Sequence, residues 1–473
     1  MATTNAKVTY LSSLPSIRES CSEVFKLAEA DQLTFWSLNP SQLPIIVDFC
    51  IGLISRDFGT NFNIPPHGRW RHFLAQDRDR ISPLVSQWQS SHGSLETSRK
   101  LVDLFVVAVL MDAGAGDQWS FIEPIEDAPT TSDNANQALP PGIGRSEGLA
   151  IGTLHAFKRG IFSSDATDPH RVDPTALKSL SAHQVADFMQ SRPGNEIVGL
   201  DGRAALFNRL GKLLEDRSSF FPSQSTSGKP SRPGNLVDYI LDHPDVKPLP
   251  KPVMNGEMIV PVEVLWEVVV DQQKGLGSIW PQEGRERIAG VYIGDVWRCE
   301  ALEKHEKIGD GYVSFHKLSQ WLTYSLIEVL EKTLGWVFTG KEKMTGLPEY
   351  RNGGLLIDFC YLIPKPEAFL NSLSLPPLDQ SSKFSLLDLP PLPARHPSII
   401  EWRALTVIGL DQIKDGINEK LGLVGQKGEL SLPQVLEAAT WKGGREIAKV
   451  KRAKKDESSA GPPIKVISDG TIF

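Results

Sequence analysis

The chain has 473 residues, 40% of them hydrophobic, enough for two or three domains with apolar cores. Its formal net charge of -7, with both signs interspersed, gives no global field for a nucleic acid, so any basic patch has to be local. Cys21, Cys50, Cys299 and Cys360 stand far apart with no CxxC spacing, which sets aside a zinc knuckle and a disulfide framework.

The N-terminal MATTNAKVTYLSS has one lysine and no apolar stretch behind it, so no secretory signal is expected and the cytoplasm is the expected compartment. Next comes IPPHGRWRHF, a Pro-Pro turn carrying His67, Arg69, Arg71 and His72 between the anchoring aromatics Trp70 and Phe73. LVDLFVVAVLMDAG, from Leu101, predicts a helix; its apolar run to Met111 is interrupted by Asp103 and is far shorter than the roughly 20 residues that span a bilayer. No membrane association is expected. Gly114 and Gly116 in DAGAGDQW read as the end of that helix, since a phosphate-cradling loop needs a strand before it and a helix after it.

Glu123 to Gly144 is rich in Pro, Gly, Ser and acidic residues and reads as a linker, as do Ser218 to Gly234 and Ser372 to Pro397. GRSEGLAIGTLHAFKRGIF places Ser146 and Glu147 at a helix start, where capping accounts for them; Arg145 is left over. Apolar residues three or four apart predict further helices from Gly199, from Val262 and from Ile399. The clearest helix is SFHKLSQWLTYSLIEVLEKTLG, with Ser314 as its cap, a stripe of Phe315, Leu318, Leu322, Leu326 and Val329, and Gly335 as its stop. Strand candidates lie around Val291 and around Ile357, where buried helices would look the same. SRPGN occurs at Ser191 to Asn195 and again at Ser231 to Asn235, and reads as two similar turns between helices.

The fold class expected is mainly α, a multi-helix protein with a small β element. Its regions are an N-terminal helical part (1–122), a central helical part (145–217), a candidate catalytic part (235–371), C-terminal helices (398–442) and a basic, flexible tail (443–473).

Two clusters carry potential chemistry. The 67–72 turn offers paired charge-assisted hydrogen bonds to a phosphate; its alternative is a packed turn whose arginines pair with Asp77 or Asp79. The second, TGLPEYRNGGLLIDF, crowds Glu349, Tyr350, Arg351, Asn352 and Asp358 beside an apolar run, where a buried carboxylate can act on a developing cation. Its alternative is an ion pair in which Glu349 or Asp358 satisfies Arg351. HExxH, GxSxG and Walker patterns are missing and the histidines lack ligand spacing, so neither a metal nor a cofactor is called for.

Taken in order, IPPHGRWRHF, DAGAGDQW, GRSEGLA with FKRGIFSSD, SRPGNEIVGLDGRAALFNRLG, GSIWP, GDVWRCEAL and LPEYRNGGLLID resemble the uracil catabolism protein 4 family from about Leu11 to Leu421. The resemblance implies a role in a uracil-degrading route through ribosylated intermediates, including an open-chain ribosylurea. Glu349-Tyr350-Arg351 is similar to the Asp-Tyr-Arg element of the queuosine salvage proteins, helical ribonucleotide N-glycosidases related in fold to DNA glycosylases. Here the acid is Glu, and Asn352-Gly353-Gly354 replaces Val-Pro-Gln. The resemblances together imply hydrolysis of a ribosylurea-type 5′-phosphate, a small-molecule ribosyl substrate. Glu349 would face the oxocarbenium ion, Tyr350 and Arg351 would position it, and Asn352 would join them in binding the substrate. Asp358 or Asp295 would bind ribose hydroxyls, and His67, Arg69, Arg71 and His72, or Arg145, would hold the phosphate. Two other readings stay open: an amide or ureido hydrolase acting on an opened pyrimidine, and a binding protein without catalysis.

Overall fold

A computed structural model describes residues 2–112, 116, 118–124, 141–216, 218–223, 229–250, 256–303, 309–378, 383–452, 461–467 and 470–472. Gly114, most of the 123–144 linker and Ala453 to Lys455 of the basic tail lie outside them. The fold is mainly α, with sheets of two or three short strands. Two compact units form from interleaved stretches of chain: unit 1 from Met1–His67, Pro281–Trp321 and Gly340–Phe473, and unit 2 from Gly68–Trp280 and Leu322–Thr339. One boundary cuts the 67–72 turn after His67. Among the described residues, no helix is long and apolar enough to cross a membrane.

In unit 1 the helix Pro397–Lys420 is buried along most of its length and packs against Leu14–Glu29, Leu43–Phe58 and Tyr350–Asp358. Trp36, Phe369, Leu355, Trp402, Leu405 and Ile464 belong to the core around it. The tightest seam joins Tyr350–Asp358 to Trp441–Arg452. A Cβ at Gly444 would lie 2.0 Å from the Arg351 carbonyl oxygen, so only glycine lets the two backbones approach this closely. Gly444→Ala is therefore expected to destabilise the protein. Better helix propensity contributes about 1 kcal/mol in its favour. Forcing two backbones apart costs about 1–3 kcal/mol or more, and the clash here is with a carbonyl that cannot swing away. Equilibrium denaturation checks the sign, and a more stable variant would contradict this packing.

The stretch expected as a flexible tail is helical through Arg452, and Val466–Ile467 pairs in parallel with Leu392–Pro393. Burial of Ile464 and Ile472 holds that end of the chain down.

Unit 2 is built around Ser82–Leu110, whose run from Leu101 to Leu110 is buried on every face. Asp103, the polar residue in that run, accepts from the amides of Gly234 (2.7 Å) and Val172 (3.3 Å) and from Arg232 (3.4 Å). Burial nevertheless pushes its carboxyl up to about 6. The second SRPGN copy is thus a buried 3₁₀ turn, Pro233–Asn235, whereas the first closes a bridge between Arg192 and Asn195. Both glycine amides meet a carboxylate, Gly194 that of Glu196 and Gly234 that of Asp103, and only Asp103 is fully buried.

Expected helices appear at Arg145–Lys158, Leu200–Glu215, Val262–Val270 and Lys317–Leu334. Strands at Arg287–Ile288, Val291–Tyr292 and Val296–Arg298 match the expectation around Val291. Two local expectations need correction. Ser314 ends a strand and does not cap the following helix; Asp295 Oδ2 accepts from the Lys317 amide at 3.0 Å instead. Ile357 is helical, and the strand begins only at Leu362, because Glu349 caps a helix that runs on to Asp358.

Candidate functional site

In unit 1, Pro348 leads into Glu349, whose extended backbone and buried carboxylate make it the N-cap of Tyr350–Asp358. Its two oxygens accept from the amides of Arg351 (2.9 Å) and Asn352 (2.6 Å). This satisfies helix-terminal donors, and it also fixes a negative charge in a nearly dry position. Asn352 is fully buried; its Nδ2 donates to the Leu347 carbonyl at 2.9 Å, and its Oδ1 has no partner. Arg351 projects outward over two aromatic faces, 4.2 Å from the Trp441 ring and 5.4 Å from the Tyr350 ring. No carboxylate pairs with that guanidinium among the described residues. The ion pair between Glu349 and Arg351 that the sequence allowed does not form; Glu349 meets the Arg351 amide instead.

His67 packs against the same tryptophan. Its amide donates to the Pro433 carbonyl at 2.9 Å, and Gln434 Nε2 donates to the Ile64 carbonyl at 3.0 Å, which seats the turn. His67 Nδ1 lies 2.7 Å from Glu437 Oε2, and its ring is 5.7 Å from that of Trp441. Glu437 belongs to a π-helical turn, Leu436–Thr440, joining Leu432–Val435 to Trp441–Arg452. Such turns frequently mark functional sites. Thr440 Oγ1, in the same turn, is buried without a partner.

Of the expected residues, the structure therefore gathers His67, Glu349, Tyr350, Arg351 and Asn352 at the start of one helix and the tryptophan beside it. It adds Glu437 and Trp441, which sequence reasoning missed. The capping pattern Ser431-x-x-Gln434 announces the helix start but not which residues the π turn exposes.

Asp295 and Asp358 have other partners. Asp295 Oδ1 accepts from Arg403 (2.8 Å) and Trp297 Nε1 (2.7 Å), and Oδ2 from Arg403 (2.8 Å) and the Lys317 amide (3.0 Å). Four donors fill the lone pairs of a carboxylate, leaving none for a sugar hydroxyl. Burial alone would raise the Asp295 carboxyl, but the Arg403 guanidinium holds it well below the usual carboxylate range. Arg403 also donates to the Pro348 carbonyl at 3.4 Å, so this pair braces the residue before Glu349. Asp358, at the far end of the 350–358 helix, is paired with Arg452 at 2.9 Å.

In unit 2, Arg69 is fully buried and donates to Asp112 (2.9 Å) and to the carbonyls of Ser146 (3.2 Å) and Ala108. Burial pulls its guanidinium below the ordinary value. These bonds tie the turn to the ends of two helices, the work of a structural clamp. Neither Asp77 nor Asp79 is its partner; Asp79 accepts from the amides of Ile81 and Ser82. His72 is buried with Nδ1 3.5 Å from Arg69, and Arg71 is half-buried. Arg145 is half-exposed, with φ +58°, following Gly144, the N-cap of its helix. Among the described residues, no three His, Cys, Asp or Glu side chains are grouped to hold a metal ion.

A family described as "Protein of unknown function (DUF1688)" matches residues 10–473. The chain is 37% identical over 482 residues to "Uracil catabolism protein 4" of Lachancea kluyveri, covering all of both chains. It is 35% identical over 472 residues to "Protein urg3" of Schizosaccharomyces pombe, covering 98% of this chain and 99% of that one. The chain belongs to this family.

Proposed function

We propose that this member of the uracil catabolism protein 4 family acts in uracil catabolism by hydrolysing the N-glycosidic bond of a ribosylurea-type 5′-phosphate or a closely related ribonucleotide. The pathway follows from the name of the Lachancea kluyveri relative. The observation that carries the reaction is the pairing, at one helix start, of a fixed buried carboxylate, Glu349, with an uncommitted guanidinium, Arg351.

Cleavage of the bond from ribose C1 to nitrogen leaves positive charge on the sugar. A carboxylate already held by two backbone amides meets that charge without reorganising. Water supplies the oxygen that bonds to C1, and the ureido nitrogen keeps the electron pair of the broken bond, takes a proton and departs as urea. Arg351, stacked on Trp441 and Tyr350, presents donors for the phosphate or the ureido oxygen, and Asn352 Oδ1 offers an acceptor for a substrate hydroxyl or amide. The other product is ribose 5-phosphate.

Incubation of the purified protein with ribosylurea 5′-phosphate, and separately with uridine 5′-phosphate, is expected to release urea and ribose 5-phosphate from the first. No release of urea, uracil or ribose 5-phosphate from either rules the reaction out. Tight binding without release would then favour the second reading, a protein that sequesters a pathway intermediate. The capping engagement of Glu349 fits that reading too.

A further inference from the structure

We infer that His67 is the proton-transfer residue of this site and that Glu437 is its positioning residue; the inference rests on the hydrolytic reading above. A carboxylate 2.7 Å from Nδ1 accepts the proton of that nitrogen and leaves the lone pair of neutral imidazole on Nε2. The ring is held in place, because its backbone is bonded to Pro433 and it packs, tilted by 47°, against Trp441. Nε2 has no protein partner among the described residues. An oriented imidazole, a carboxylate behind it and an open second nitrogen form the arrangement by which a histidine moves protons.

Thr440 Oγ1 and Asn352 Oδ1, both on fully buried side chains, lack partners, one on each of the two elements that flank Trp441. Buried polar atoms are normally satisfied, and these two exceptions lie on the elements that carry Glu437 and Arg351. Charged groups near His67 include Glu437 from the π turn and Arg351 from the 350–358 helix, which lies over the same Trp441 ring.

In the reaction, Nε2 takes a proton from water as the water oxygen bonds to C1 and the bond from C1 to nitrogen breaks. The imidazolium then gives that proton to the ureido nitrogen, which leaves as urea, and the histidine returns to its starting state.

The test compares wild type, His67→Gln, His67→Ala and Glu437→Gln on ribosylurea 5′-phosphate, with kcat, KM and melting temperature from one preparation. His67→Gln is expected to lose about 10²–10⁴-fold in kcat. KM should change little. Added imidazole should restore part of the turnover of His67→Ala, which a merely structural role would not allow. Glu437→Gln weakens the hold on Nδ1 that orients the ring, so kcat should fall while KM stays near the wild-type value. That variant also stands in if the His67 variants do not fold. Wild-type turnover in folded His67→Gln, or wild-type kcat in folded Glu437→Gln, overturns the inference while leaving hydrolysis in place. No turnover by the wild type removes the hydrolytic reading and this inference with it.

Discussion

Glu349→Asp is expected to melt close to wild type and yet to turn over about a hundredfold to a thousandfold more slowly, a loss of about 2.7–4 kcal/mol of barrier stabilisation. Glu349 is an N-cap in the structure and the catalytic carboxylate of our proposal, which makes this substitution informative. Aspartate is among the best N-cap residues, so the amides of Arg351 and Asn352 keep an acceptor. The side chain is one methylene shorter, however, and a charge preorganised for the sugar cation is drawn back toward the helix. Glu349→Ala removes cap and charge together, and should add about 0.5–2 kcal/mol of lost stability to the lost rate. If Glu349 is only a cap, the order reverses: Asp is active and stable, and Ala is unstable with normal turnover per folded molecule. Turnover and melting temperature measured on the same samples decide between them. Near-normal turnover in folded Glu349→Asp would return the carboxylate to a purely structural role.

Asp295→Ala should cost about 3–5 kcal/mol of folding stability, because it leaves the Arg403 guanidinium buried without its charge partner. Arg403 is 1% exposed and donates to both carboxylate oxygens at 2.8 Å, with Phe315 under its guanidinium at 4.1 Å. Replacing both residues with apolar ones of similar volume should cost much less than either single change, since the expense lies in the orphaned charge. Denaturant unfolding of the two single variants and the double variant measures this directly, and additive losses would show that the pair is not coupled. The Asp295 carboxyl is depressed in the folded protein, so its contribution is complete above its unfolded value of about 3.9 and is lost as pH falls through the folded value. Wild type should therefore lose stability below about pH 4 more steeply than the double variant.

Most of the helical architecture could be read from residue spacing, because one buried stripe per helix is a local property. The run from Leu101 and the stripe from Leu318 to Val329 end up as the helices Ser82–Leu110 and Lys317–Leu334. Local reading failed where the deciding group came from elsewhere in the chain. Asp295 caps the helix that Ser314 was expected to cap, because strand pairing carries the chain past Ser314 before the helix can begin. Ile357 sits in a run that suits a strand equally well, and the Glu349 cap resolves it toward helix.

The site divides in the same way. Composition and motif singled out the polar residues at 349–352 and at 67–72, since guanidinium, carboxylate and imidazole crowded beside apolar runs are conspicuous in any sequence. Which of them face one another is a matter of packing between segments hundreds of residues apart. Glu437 lies 370 positions from His67, in a stretch whose local pattern shows only a helix start. Asp295 is a promising carboxylate until Arg403 is seen to fill it, and Arg69 a promising phosphate ligand until three helix-end groups surround it. Sequence determines which side chains are available and how each helix is striped, because both depend on neighbours along the chain. Only the tertiary structure decides which charges are already neutralised by a partner and which, like Arg351 among the described residues, meet no carboxylate, because a buried charge is satisfied by whatever the fold brings within about 3 Å.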